Sequence, residues 1–184
     1  MKHSIMAWRP ATAAILMAGL GALSAFGQFA ATGTTTLSVT VAAEASISIT
    51  TSTTTLSSTP GLFVDYTGTT AFLYKIRTTQ STGTGTINVK ITSDFAGAGG
   101  PSVATPPSAG DALTYSCTVA APGTACTGPI TALTTATTSV GTFGAGASSA
   151  KAGNAGSLNW TLTNDPVYKT GTYTATATFT ISAT

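Results

Sequence analysis

Of the chain's 184 residues only 7% are charged, about a third of the usual globular share, and the hydrophobic fraction of 42% lies slightly below the usual range. Threonine, serine and glycine take the place of charge. Regularly spaced Val, Ile, Leu, Phe and Tyr in such a background exclude the highly charged type of disordered chain and favour a folded β-rich one. The formal charge of +2 comes from Lys2 and Arg9; beyond them Lys75, Arg77, Lys90, Lys151 and Lys169 are matched by Glu44, Asp65, Asp94, Asp111 and Asp165. That balance excludes long-range attraction of nucleic acid, and a near-neutral surface makes self-association easier.

Residues 1–27 read as an export signal, with a basic start at Lys2 and Arg9, an apolar run over 11–26, and small residues at Ala25 and Gly27. The run is shorter than the roughly twenty residues that span a bilayer and contains Gly19 and Gly21. Cleavage after Gly27 is therefore expected, with Ala30 as the alternative site. A signal helix of bacterial type, removed from a secreted, surface or periplasmic protein with no stable membrane insertion of the mature chain, is the expectation. Residues 28–184 fit one domain, since no linker divides them.

Strand-like segments then follow one another. Leu37, Val39 and Val41 alternate within an uncharged stretch at 34–42, which reads either as the first strand of its own sheet or as a segment that adds to a neighbour's sheet edge. Ile47 and Ile49 mark the next strand, followed by 62–66 and by Phe72, Tyr74 and Ile76. Residues 81–85 (Ser-Thr-Gly-Thr-Gly) predict a hairpin turn into Ile87, Val89 and Ile91. The Gly- and Pro-rich 94–110 predicts a long loop, because Pro removes a backbone donor and Gly costs entropy in a ladder. Alternation resumes at Leu113, Tyr115, Cys117 and Val119, weakly at 130–135 and 139–143, and after a flexible 144–156 at Leu158, Trp160 and Leu162. Asn164-Asp165-Pro166 turns the chain into a last strand in which small hydroxyls alternate with Tyr173, Ala175, Ala177, Phe179 and Ile181. No helical periodicity follows the leader. About eight to ten short strands separated by turns predict an all-β fold, an antiparallel immunoglobulin-like β-sandwich preceded by the signal helix, with Trp160 in its core.

Cys117 and Cys126 flank a Pro122-Gly123 turn signal, and in an exported chain they are expected to be oxidised into a staple of a hairpin or local loop. The spacing lacks the further ligands or the Cys-x-x-Cys arrangement of a metal or redox site.

Catalytic material is scarce. The single histidine lies in the leader, which closes Ser-His-Asp chemistry, and no Gly-x-Ser-x-Gly elbow occurs. A Ser-Lys pair of Lys151 with Ser148 or Ser149 sits in a glycine-rich stretch that would position it poorly. Glycoside hydrolysis needs two carboxylates about 5 to 9 Å apart, and the carboxylates here are scattered along the chain. Asp94, Asp111 and Asp165 lie in loops whose carbonyls could complete a calcium shell, yet no Asp-x-Asp run or EF-hand pattern is present. No enzyme, cofactor or metal is expected.

The row from Gly171 to the end resembles the terminal strand of chaperone-usher pilins and of secreted spore-coat-protein-U-like domains. The resemblance covers that strand, the disulfide and the leader. It implies an immunoglobulin-like sandwich completed by a neighbour, and a terminal strand that pairs with an assembly chaperone. Two features depart from the pilin pattern: Ala183 stands where an aromatic is usual, and the cysteines are closer together. Trp160-Thr161-Leu162 also resembles one copy of the motif that WxL cell-wall-binding domains carry twice. The sequence thus points to a secreted, non-enzymatic structural or adhesive surface protein, self-assembling or bound to other surface proteins. Its assembly strands would contain Leu37, Val39, Val41, Tyr173, Phe179 and Ile181. The alternative is a monomeric carbohydrate or cell-wall binding module, with Tyr66, Tyr74, Tyr168 or Trp160 as stacking platforms for an extracellular glycan.

Overall fold

In the computed structural model residues 32–184 are described; the expected leader, with the signal helix and the two cleavage sites expected for it, lies outside them. Alternating apolar and hydroxyl side chains become nine strands: β1 (Glu44–Ile49), β2 (Tyr66–Arg77), β3 (Gly85–Ser93), β4 (Leu113–Val119), β5 (Thr124–Ala125), β6 (Ile130–Thr131), β7 (Thr138–Phe143), β8 (Asn154–Leu162) and β9 (Thr176–Ala183). Every pairing is antiparallel, and no helix occurs among the described residues. The strands form one sheet in the order β1-β2-β8-β4-β6 and a second in the order β5-β7-β3-β9. All of them belong to the unit Thr40–Thr184.

The period of two decides which side chains go inward. Phe72, Tyr74 and Ile76 of β2, Leu158, Trp160 and Leu162 of β8, and Leu113 and Tyr115 of β4 are buried from the larger sheet. Ile87, Val89 and Ile91 of β3 and Val140 and Phe143 of β7 are buried from the smaller. Aromatic pairs bridge the sheets: Phe72 meets Phe179 with ring centroids 5.8 Å apart, and Tyr74 meets Phe143 at 5.1 Å. Each such side chain contributes about 1.5–3 kcal/mol by leaving water, which makes this core the main source of stability. Gly156 marks a close approach inside the larger sheet. It stands opposite Phe72 in the β2–β8 register, and a Cβ there would lie 2.3 Å from the Phe72 ring.

On the wet faces threonine and serine form cross-strand hydroxyl pairs, Thr86 with Ser182 (3.0 Å) and Thr92 with Thr178 (2.9 Å), which support β9 on β3. The chain end is held too: Thr79 N–H donates to the Thr184 carbonyl and Thr184 N–H to the Thr84 carbonyl.

Several expectations need correction. Residues 34–42 form no strand. The β1–β2 register sets Glu44 opposite Arg77, the last residue of β2, so no ladder remains for residues before Glu44. Leu62 and Phe63 lie in an exposed turn, with Phe63 in the left-handed region (φ 54°), and β2 starts only at Tyr66. The turn at 81–85 does not close a hairpin, because β2 and β3 belong to different sheets. The terminal strand begins at Thr176, leaving Tyr173 outside it, where its hydroxyl donates to the Lys169 carbonyl (2.8 Å). The stretch read as flexible at 144–156 is tied to the end of β2. Thr78 Oγ1 donates to the Gly144 carbonyl, Ala147 N–H donates to Thr78 Oγ1, and β8 already begins at Asn154.

Candidate functional site

Four strands end the sheets, the two-residue β5 and β6 on one side and the longer β1 and β9 on the other. β1 pairs only with β2, and β9 pairs only with β3. Past Ile49 the chain follows β2 through an interrupted ladder: Thr50 N–H donates to the Ala71 carbonyl (2.9 Å) and Ser57 and Thr67 exchange main-chain bonds, while between them Ala71 N–H donates to Thr51 Oγ1 (3.1 Å) and the Thr54 and Thr70 hydroxyls meet at 2.5 Å. β1 itself approaches β9, and the space between the sheets opens beyond Ile49. The result is an open groove of about 1080 Å³. Leu113, Trp160 and Leu162 lie along it with Ile91; Ile49, Leu56 and Phe63 contribute from one flank, and Phe95, Ala175, Ala177 and Phe179 from the other. Its charged lining residues are Asp165 and Lys169, and the rest of the lining mixes these apolar side chains with threonine hydroxyls, so the groove is close to uncharged.

Trp160 is 5% exposed, as expected for a core residue, and its indole N–H donates to Thr70 Oγ1 at 2.8 Å. Thr70 in turn meets Thr54, giving a short polar relay that reaches from the core to the groove lining. The sequence signal for it was a threonine standing in the inward row of Phe72 and Tyr74.

The proposed assembly residues fall into two groups. Phe179 and Ile181 are half-buried on the inward row of β9, and Tyr173 follows the loop before it. Leu37, Val39 and Val41 carry no strand pairing and are 91%, 85% and 61% exposed. Of the proposed stacking rings, Tyr74 and Trp160 are buried, whereas Tyr66 and Tyr168 are half-buried and line the groove. Burial raises the pKa of Tyr74, although Gly123 N–H and Asn154 donate towards its oxygen; Tyr74 itself donates to the Ala120 carbonyl. Tyr115 is likewise raised by burial while donating to Thr138 Oγ1 (2.7 Å).

Cys117 and Cys126 are joined, with Cα atoms 5.5 Å apart. Cys117 lies in β4 of the larger sheet and Cys126 immediately follows β5 of the smaller. The bond thus staples a corner where the chain changes sheets, not a hairpin within one sheet.

The remaining polar candidates have structural work. Ser149 Oγ accepts from Ile76 N–H (2.9 Å) and donates to the Ile76 carbonyl, so it braces β2. Asp94 organises its loop by accepting from Phe95, Val103 and Ala104 N–H and from Ser102 Oγ at 2.7–3.0 Å. Burial alone would raise its pKa, but these four donors outweigh it and hold the carboxyl below the usual range. Asp165 caps its own turn through Val167 N–H (2.8 Å), while the Ser108 hydroxyl, the largest cause, and Val167 N–H lower its pKa. Asp111 and Asp165 lie on neighbouring loops, joined where Thr163 Oγ1 donates to the Gly110 carbonyl (3.3 Å). Sequence reading had them scattered; the convergence arises because the loops before β4 and after β8 end side by side, Leu113 pairing with Leu162. Among the described residues no cluster of three or more His, Cys, Asp or Glu side chains forms. No protein-family model matches this chain, and no curated protein or solved structure matches it either.

Proposed function

We propose that the chain is an exported, non-enzymatic structural or adhesive surface subunit with an immunoglobulin-like sandwich. It assembles when residues 34–42 of one copy lie along the free edge of β9 in the groove of the next. The observation that carries this reading is the exposure of Leu37, Val39 and Val41, three apolar side chains on one face of an uncharged segment without strand pairing. Their row spans four residue steps, about 13 Å, the same as Ala175, Ala177 and Phe179 along the groove. A strand added there would align two period-two rows and satisfy the unpaired edge of β9 by main-chain hydrogen bonds. Burying three such side chains contributes about 5–9 kcal/mol, which is comparable with the cost of association. Ladder hydrogen bonds therefore decide whether the assembly is reversible or permanent.

Light scattering after size-exclusion chromatography, with negative-stain microscopy, tests this on the oxidised protein beginning at residue 28. Oligomers or filaments that vanish on removal of residues 28–42 are expected. A chain that stays monomeric at high concentration overturns the reading. The half-buried Tyr66 and Tyr168 in the groove support a second reading, a glycan-binding module. In that case the protein is a monomer and a glycan screen finds a ligand whose binding is lost in Tyr66→Ala.

A further inference from the structure

Among the described residues Phe63 is the one non-glycine residue in the left-handed region, at φ 54°. A bulky side chain is an outlier there because its Cβ crowds the backbone, and such conformations persist only where the surroundings impose them. The surroundings of Phe63 do so from both sides. On one side the turn closes tightly: a Cβ added to Gly61 would lie 2.6 Å from Val64 Cγ2. On the other, Asn164 Nδ2 donates to the Val64 carbonyl (3.1 Å) and Asn164 N–H to Asp65 Oδ1 (3.3 Å), which ties the turn to the chain leaving β8.

The ring gains little from its own fold in return. Phe63 is 59% exposed and belongs neither to the buried core nor to the side chains packed against it. Asparagine or glycine would fill the same backbone position with less strain, so the turn itself does not require an aromatic. The groove supplies a reason for one. Phe63 lines it with Ile49 and Leu56 from the flank opposite β9, and between those two aliphatic residues the lining at 51–55 is four threonines and a serine. Without the ring, that flank would face an occupant mainly with hydroxyls.

We propose that Phe63 is the specificity-determining residue of the groove, a backbone-held aromatic clamp that accepts an incoming strand only when its inward row is apolar. The proposal rests on the strand-addition reading above and names what the acceptor selects, the row Leu37, Val39 and Val41 of a second copy. With the strand's main chain on the edge of β9, its inward side chains meet Trp160 and Leu162 on the floor and the Phe63 ring across the groove. A row of hydroxyls in their place would be set against the ring and lose water without gaining partners. The backbone at Phe63 is ordered before the strand arrives, so less conformational freedom is lost on binding.

The test follows assembly of the oxidised protein from residue 28 by light scattering against concentration, with the emission of Trp160, its sole tryptophan, reporting on the groove. In the wild type the emission should shift as assembly sets in. Phe63→Asn should need about ten-fold more protein to assemble. Its Tm, taken below the assembly concentration, should stay level or rise by about 2 °C, since asparagine tolerates the left-handed region. Phe63→Tyr, which keeps the ring, should recover most of the assembly. If the wild type assembles and Phe63→Asn does so at the same concentration, the proposal is overturned and strand addition stands. A fall in the Tm of Phe63→Asn alongside its loss of assembly also overturns it, because the ring would then belong to its own sandwich. A wild type that stays monomeric, or that assembles with no change in Trp160 emission, overturns strand addition in the groove and the clamp with it.

Discussion

The sandwich is finished differently on its two sides. Where β4 hands over to β5, the Cys117–Cys126 bond joins the sheets, the Tyr74 hydroxyl holds the connecting chain at the Ala120 carbonyl, and Cys126 N–H on the Val140 carbonyl (3.0 Å) continues the pairing of β5 with β7. Where β1 and β9 end their sheets, no strand crosses, and the side-chain hydroxyls of Thr51 and Thr54 fill an interruption in the ladder beside an open groove. A corner closed by covalent and main-chain bonds fixes the angle between the sheets. An edge left open at the same time keeps a shape that another strand can enter, so stability and availability are assigned to opposite sides.

The largest effect expected from breaking this division concerns the open side. Replacing Leu37, Val39 and Val41 together by serine should remove assembly, lowering association at least a hundred-fold in light scattering. Because all three side chains are exposed, Tm of the monomer should move by no more than about 1 °C. A parallel drop in Tm would mean that the segment belongs to its own sandwich. The closed side should answer in the reverse sense. Cys117→Ser with Cys126→Ser releases a loop of about ten residues and should cost about 3 kcal/mol in denaturant unfolding, with assembly retained at temperatures where the variant is folded. Loss of assembly without loss of stability would show that the corner acts on the groove.

Between the two sides runs the relay from Trp160 through Thr70 to Thr54. Thr70→Val keeps the shape but leaves a buried indole N–H without an acceptor, and should cost about 1.5 kcal/mol. Thr70→Ser, which retains the hydroxyl, should cost less. Equal losses in both would assign the effect to packing.

These contrasts also explain what could be read in advance. Inward rows such as Ile87, Val89, Ile91 and Leu158, Trp160, Leu162 were legible because a half-buried strand writes its own period. The same period at Leu37, Val39 and Val41 was equally clear, but periodicity reports strand character and not the identity of the partner. Whether a ladder existed for that segment depended on where β2 stops, a long-range register absent from local pattern. Turn signals at 81–85 marked a reversal but did not say that the chain changes sheets there. The groove and the nearness of the loops that carry Asp111 and Asp165 arise from pairing between distant strands and had no local signature beyond polar residues in loops.

The smallest effect expected is on the loop at Asp94, away from both the staple and the free segment. Its carboxylate holds Val103 and Ala104 N–H and the Ser102 hydroxyl, so its folded-state pKa lies below that of the unfolded chain. The folded state thus binds a proton less readily, and the stabilisation is fully present above the ordinary aspartate pKa of about 4. It is lost as pH falls through the lower folded-state value, where the carboxylate protonates and the donors lose their anionic acceptor. Asp94→Asn should lower stability modestly at pH 7 and flatten the acid limb of the Tm profile below about pH 4, with assembly unchanged. An acid limb as steep in the variant as in the wild type would move the pH dependence to another carboxylate and leave the 94–104 loop held by its neutral contacts alone.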